Sequence, residues 1–293
     1  MKIGWVGVGK MGLPMASHLL KAGHAVTACD RVAAQVETLA ARGAARAATP
    51  AEAAREAEVT FSSIPDDAAL RAVALAPDGV LAGAKRGAVF VDTSTVSPVV
   101  SAEVAAAAAA KGIGYLRVGV SGNNKMAEQA ALTVIASGAR AVYERAEPLL
   151  AAFGPNRFHV GEAEQARTLK LIINLMVYAT VGTLGEALAL GRRGGLDWQQ
   201  MIEVIASSAV GSPLVKAKSG VLKRRDFTAT FTCLQGRKDL ELILGAGKAT
   251  GVPLPITALL AQAIEACIAN GSGDEDYAAM VKVVERAAGL PPA

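Results

Sequence analysis

The sequence predicts an α/β fold: a doubly wound sheet in the first half, followed by an all-α C-terminal domain. Three observations carry this prediction. Short β-rich runs alternate with alanine-rich helical stretches up to about residue 160. A glycine-spaced turn follows the first of those runs. From Glu162 onward the sequence has helical patterning and almost no strands. Strands alternating with helices imply crossover units and a largely parallel sheet. Such connections are right-handed almost without exception.

The strand candidates are 2–7 (KIGWVG), 25–30 (AVTACD), 58–64 (EVTFSSI), 88–94 (AVFVDTS), 115–120 (YLRVGV) and 131–137 (ALTVIAS). Two of the intervening helices have legible starts. Thr49 is an N-cap with Pro50 at the first helical position and Glu52 completing a capping box. Ser97 and Pro98 repeat the pattern, and Gly112 marks that helix's exit. Beyond the change of class, helices are expected at 163–193, 198–209, 236–250, 254–270 and 275–289. The predicted domains are 1–161, nucleotide-binding, and 162–293, helical.

The 293 residues are 52% hydrophobic, much of it alanine, and only 4% aromatic, which suits a helix-rich globular protein. A net charge of +4 is mild, and the basic residues are scattered, so no nucleic-acid partner is expected. Cys29, Cys233 and Cys267 lack metal-ligand spacing; the expectation is buried free thiols in a reducing cytoplasm, with no metal. The N-terminus enters a strand at once, leaving no room for a signal peptide. The apolar run 171–185 is roughly 15 residues where about 20 span a bilayer, so no membrane partner is expected either.

Gly7, Gly9 and Gly12 have the G-x-G-x-x-G spacing, directly after a strand and at the opening of a helix, which is the context of a Rossmann-type dinucleotide site. Gly7 permits the tight turn, Gly9 lets the backbone approach a pyrophosphate, and Gly12 allows close packing of helix on strand. The phosphates meet the helix N-terminus, where free N–H groups and the dipole favour anions. The cofactor-binding segment is thus Gly7, Val8, Gly9, Lys10, Met11 and Gly12. Asp30 ends the second strand at the distance expected of a ribose acceptor. Its charge disfavours a 2′-phosphate, which points to NAD over NADP, although Arg31 beside it can stack on adenine or pair with that phosphate.

Within TLKLIINLMVY (168–178), Lys170 and Asn174 stand four residues apart on one helix face. A lysine in an apolar helix is costly unless something uses or pairs it. His18, His24 and His159 have no catalytic constellation nearby, and surface or packing roles are expected for them.

These motifs, in order, resemble the β-hydroxyacid dehydrogenases, the group of 3-hydroxyisobutyrate dehydrogenase and tartronate semialdehyde reductase. GVGKMGLPMASHLLKAGH is similar to the family's opening and VDTSTVSP to its D-x-S-T-x-x-P stretch. VSGNNKMAEQAALTV resembles its substrate loop, TLKLIIN its K-x-x-x-N helix, and GRKDLELILGAGKATGVPLP its K-D-L segment. The resemblance implies a Rossmann-type domain, a long interdomain helix and a helical domain that joins copies into homodimers or homotetramers. It implies hydride transfer between a nicotinamide cofactor, NAD or NADP, and a short 3-hydroxy acid or its semialdehyde.

By the same resemblance Lys170 is the general acid/base. A free lysine titrates near about 10.4, and burial or a cationic nicotinamide ring would favour its neutral form. Ser121, Gly122, Asn123, Asn174 and Thr95 would bind substrate. Pro65, Thr95 and Lys238 would line the cofactor site. Alternatives are an imine reductase-like enzyme on the same scaffold, or a non-catalytic dinucleotide-binding scaffold. The sequence departs from the family where an acidic residue, a small residue and a proline usually precede V-S-G. Arg117, Val118 and Gly119 stand there, and Asn123 replaces a second glycine, so the pocket wall, and with it the substrate, is expected to differ.

Overall fold

The computed structural model describes residues 1–291. Its sheet has eight strands: β1 (Lys2–Val6), β2 (Ala25–Cys29), β3 (Ala45–Arg46), β4 (Val59–Ser62), β5 (Val89–Asp92), β6 (Gly114–Ser121), β7 (Thr133–Ser137) and β8 (Asn156–His159). They lie in the order β3-β2-β1-β4-β5-β6-β7-β8. Every neighbouring pair is parallel except β6 and β7. The chain builds outward from β1 through β2 to β3, then crosses back to β4 on the other side of β1. The switch point therefore falls between the carboxyl ends of β1 and β4, where open α/β sheets bind ligands.

All six expected strands are present. Two were not expected, for physical reasons. β3 has two residues, both exposed, so it has no apolar signature. β8 (NRFH) lies at the sheet edge, and none of its four residues is fully buried. The central strands are buried on both faces, as β4 and β5 show along their whole length. Aromatic residues are few but concentrated: Trp5 stacks on Phe61 at 5.2 Å between centroids, and Phe153 meets both edge-on.

The capping signals worked locally. Thr49 accepts from the Glu52 N–H, while Glu52 accepts from Ala48 rather than from Thr49. Ser97 accepts from Val100 at the head of the helix Pro98–Ala110. Gly112 sits just beyond with φ +66°.

The chain forms two compact units that divide at Lys170 and Leu171. The division lies inside one continuous helix, Gln165–Arg193, whose first turns belong to the sheet unit. By length and composition this 29-residue helix could cross a membrane. The sequence-based length of about 15 apolar residues was therefore too short, because the helix runs on through Glu186. In the structure Tyr178, Val181, Leu184 and Leu188 pack into the core of the helical unit.

The helical unit continues with Trp198–Ser207, Pro213–Arg224, Cys233–Thr250, Pro255–Ala269, a 3₁₀ turn Tyr277–Ala279 and Met280–Ala287. The helix Pro213–Arg224 was not expected from sequence, although Ser212 caps it and Pro213 starts it. It ends on Arg225, a left-handed residue at φ +50°, whose guanidinium is held in a fork by both Glu285 oxygens. The helix expected from 275 is preceded by a cap instead: the Asp276 carboxylate accepts from Ala278 and Thr230. Asp276 also takes both bonds of the buried Lys218 ammonium, at 2.7 and 2.9 Å.

Removing one partner of a buried pair leaves the other charge uncompensated. Lys218→Met should therefore lower unfolding stability by about 3–5 kcal/mol, measured by urea denaturation. A loss near zero would show that Thr230 and Ala278 satisfy Asp276 by themselves.

Candidate functional site

The glycine loop follows β1 and has the geometry its spacing implies. Gly7 takes φ +92°, and a Cβ there would lie 2.2 Å from the Ser63 carbonyl oxygen. At Gly12 a Cβ would lie 2.0 Å from the Gly7 carbonyl oxygen. Gly9 differs: nothing lies within 4 Å of where its Cβ would be. Two glycines are thus demanded by the protein's own backbone, while the middle one borders open space, as a phosphate-binding turn requires. The helix Gly12–Lys21 begins with no side-chain cap and no acidic residue in its first turn, so its N-terminal dipole is not offset by the protein. These features fit a dinucleotide pyrophosphate. Trp5 braces the turn from below by donating to the Gly7 carbonyl at 2.9 Å.

Asp30 has a part the sequence did not disclose. Its Oδ2 accepts from the Val8 N–H at 2.7 Å and its Oδ1 from the Val32 N–H at 2.8 Å. The carboxylate therefore pins the glycine loop to the end of β2. Arg31 beside it is exposed, as is Lys10, while Met11 occupies the cap position of the first helix.

Pro65 follows β4 and Thr95 follows β5, at the carboxyl edge of adjacent strands. Thr95 does not cap the helix Pro98–Ala110, since Ser97 does. Ser121 ends β6. Gly122 follows with φ +143°, where any Cβ would meet Leu132 at 2.6 Å. Asn123 uses its Oδ1 to cap the short helix Asn124–Glu128 through the Met126 N–H, so the amide NH₂ is the part of its side chain that this cap does not use.

Lys170 lies on the helix where it runs over β6. A Cβ on Gly119 would come 3.0 Å from Lys170 Cβ and 3.4 Å from the Ala166 carbonyl. Alternation along a strand puts Arg117, Gly119 and Ser121 on one face. The lysine stem therefore rests on the bare glycine two residues before Ser121. Arg117, which departs from the family pattern, is buried; it pairs with Glu164 through its Nε at 2.7 Å and stacks on Tyr115 at 4.9 Å. It is occupied in fixing the helix start.

Beneath this edge lies a buried polar group the sequence reading missed. Arg167 is 2% exposed. It binds Asp92, the Ser94 carbonyl at 2.7 Å and the Tyr115 hydroxyl at 3.1 Å. Burial is the largest influence and disfavours the guanidinium charge, but Asp92, Tyr115 and Glu164 together outweigh it and hold the group above its ordinary value. Burial keeps the Tyr115 phenol neutral, its pKa raised despite Arg167.

In the helical unit, Asp239 plays the comparable part. It is 1% exposed. Its Oδ2 accepts from Asn174 Nδ2 at 2.7 Å and from the Tyr178 hydroxyl at 3.3 Å, and the Lys238 ammonium lies 2.9 Å from Oδ1. A carboxylate offers no donor, so Asn174 turns its NH₂ toward it and keeps its carbonyl oxygen for another partner. Burial, reinforced by Asp239, holds the Tyr178 phenol well above its ordinary pKa.

The histidines are tied to main chain or terminus: His18 to the Ala127 carbonyl, His159 to the Gly138 carbonyl and His24 to the N-terminal amine. All three cysteines are buried and free.

Comparison with known proteins agrees with this geometry. Residues 2–161 match the NAD-binding domain of 6-phosphogluconate dehydrogenase. Residues 165–284 match the NAD-binding domain of NADP-dependent 3-hydroxyisobutyrate dehydrogenase. The chain is 38% identical over 291 residues to 2-(hydroxymethyl)glutarate dehydrogenase of Eubacterium barkeri, covering 99% of this chain and 97% of that one. Among solved structures, 3-hydroxyisobutyrate dehydrogenase of Mycobacterium tuberculosis, with L-serine, superimposes with a TM-score of 0.87 at 29% identity, over 96% of this chain and 98% of that one. A protein named Psf3, in complex with NADP+ and 2-OPP, superimposes with a TM-score of 0.87 at 26% identity, over 96% and 99%. The cofactor is therefore a nicotinamide dinucleotide, NAD or NADP.

Gly9→Ala separates binding from folding. With open space around the new methyl, unfolding stability should stay within about 0.5 kcal/mol of wild type. Dinucleotide affinity should fall at least tenfold by calorimetry. Unchanged affinity would remove Gly9 from the phosphate site.

Proposed function

We propose, because this chain belongs to the β-hydroxyacid dehydrogenase family, that it moves a hydride between a nicotinamide and a short 3-hydroxy acid or the matching semialdehyde, with Lys170 carrying the proton. The chain is an NAD(P)-dependent dehydrogenase or reductase acting on CH–OH groups; the substrate, the proton carrier and the choice of dinucleotide are the proposal. The observation that carries it is the seating of Lys170 on Gly119, on the same strand face as Ser121 and two residues before it.

The bound dinucleotide supplies the hydride acceptor or donor. In the oxidative direction the neutral Lys170 amine takes the hydroxyl proton; in reduction the ammonium returns one to the carbonyl oxygen. Ser121, Gly122 and Asn123, at the end of β6, offer a hydroxyl, backbone N–H groups and an amide NH₂ for the substrate carboxylate. Thr95 and the carbonyl oxygen of Asn174 contribute further polar contacts to substrate. Pro65, Thr95 and Lys238 contact the cofactor.

Arg117 is paired with Glu164 and so does not act as a second carboxylate clamp. The relative acting on 2-(hydroxymethyl)glutarate suggests a 3-hydroxy acid whose C2 bears a longer arm. The fixed Asp30 carboxylate favours NAD, since it would face a 2′-phosphate with like charge. The buried thiols suit a reducing cytoplasm. Exposed Ile172, Met176 and Leu190 on the long helix support assembly into homo-oligomers.

The assay is a panel of 3-hydroxyisobutyrate, 2-(hydroxymethyl)glutarate, tartronate semialdehyde and succinic semialdehyde with each dinucleotide. Lys170→Ala should lower kcat by about 10²–10⁴-fold, with dinucleotide affinity retained. Wild-type turnover surviving in that variant would sink the mechanism. Wild type should show a higher kcat/KM with NAD; preference for NADP would overturn the role given to Asp30.

A further inference from the structure

We propose that Arg167 is a positioning residue for the reaction: its guanidinium fixes the helix turn that carries Lys170 against the strand exit that carries Thr95. This rests on the reading of Lys170 as the proton carrier.

Arg167 precedes Lys170 by three residues, one turn of the same helix. Its planar fork presents five donors. Nη1 donates to the Ser94 carbonyl at 2.7 Å, the oxygen of the peptide bond that joins Ser94 to Thr95, and to the Val118 carbonyl at 3.4 Å. Nη2 donates to Asp92 and to the Tyr115 hydroxyl at 3.1 Å, and Nε to Ser101 Oγ at 3.2 Å. The second oxygen of Asp92 extends the network, accepting from the Ser62 and Ser94 hydroxyls at 2.6 Å each. Ser94 Oγ in turn accepts from the Ile64 N–H at 2.9 Å.

The members of this network stand next to the residues that face ligand. Ile64 precedes Pro65, Ser94 precedes Thr95, Val118 precedes the Gly119 seat, and Arg167 lies one turn before Lys170. None of the network's own groups needs to reach substrate. A buried ion pair is weak support for stability, because an apolar replacement of both partners is often as stable. What such a pair does supply is fixed geometry, since the fork has one arrangement that satisfies all its acceptors. The proton carrier and Thr95 then keep their spacing as ligand enters and leaves.

The test is Arg167→Lys in the full chain, assayed with the panel compound that wild type turns over fastest. Lysine keeps a positive charge beside Asp92 but, as a point donor, cannot span Asp92, the Ser94 carbonyl and the Tyr115 hydroxyl together. A charge-balancing role would be rescued by it; a positioning role would not. The expected result is a protein that melts at a lower temperature but still unfolds cooperatively and still binds dinucleotide, with kcat lower by about 100-fold and a shifted Lys170-dependent limb of the kcat/KM pH profile. In a Lys170→Ala background the same change should cost less than twofold more, because Arg167 acts through the lysine.

Wild-type kcat with an unmoved pH limb would overturn the inference, as would a full further loss in the Lys170→Ala background. If Arg167→Lys does not fold, Tyr115→Phe removes one guanidinium contact from an intact core. It should lower kcat about tenfold at unchanged dinucleotide affinity, and unchanged kcat would again overturn it. Failure of the Lys170 reading shows separately, as turnover surviving in Lys170→Ala alone.

Discussion

The buried contact between Asp92 and Arg167 is the interaction on which the nucleotide-binding unit depends. One partner ends the strand beside the switch point, and the other lies in the first turns of a helix that begins more than seventy residues later. Without it the helix start would still be held on the sheet by the Arg117–Glu164 pair, by the fit of Lys170 on Gly119 and by Ser137, whose hydroxyl donates to the Ala163 carbonyl and accepts from the Ala166 N–H. The first two bear on β6 and the third on β7. A guanidinium with acceptors on β5, β6 and the intervening helix fixes rotation as well, and rotation decides which way a side chain one turn later points.

The helical unit repeats the logic with a different group. Asp239 is as buried as Asp92, and it orients Asn174, Tyr178 and Lys238 at once. Because the carboxylate accepts only, the amide must present its nitrogen inward and its oxygen outward. In each unit a buried carboxylate orients the groups expected to bind ligand. Each carboxylate is out of solvent, so its bonds are not diluted by water and its orientation is not shared among rotamers.

What could be read in the sequence follows the range of each interaction. The glycine turn, the Thr49 and Ser97 caps and the strand alternation act within a few residues, so local pattern carries them. The helix Pro213–Arg224 was equally local, its Ser-Pro start matching that at Ser97, and could have been found by the same signal. β3 and β8 are short, solvent-facing edge strands whose existence depends on the neighbour they pair with. Arg167 and Asp239 were invisible for a different cause. Their partners lie 75 and 65 residues away, and nothing local marks an arginine between Ala166 and Thr168 as buried. Asp30 was legible as an acidic strand end, but its bond to the Val8 N–H required the turn to be folded.

The departure of Arg117, Val118 and Gly119 from the family pattern takes on another meaning in this setting. Read in sequence it altered the pocket wall opposite the lysine. In the structure two of the three residues bear on the helix that carries the lysine: Arg117 anchors Glu164, and Gly119 receives the Lys170 stem. With a Cβ at 119 only 3.0 Å from that stem, a proline or any side chain there would require the helix to stand off by a few tenths of an ångström. Anchor and glycine therefore act together. The pair draws the helix in, and the missing side chain lets it come. The glycine in the strand also sets how closely Lys170 approaches Ser121, so under the role proposed for Lys170 the strand would bear on substrate through the position of that lysine as well as through its own surface.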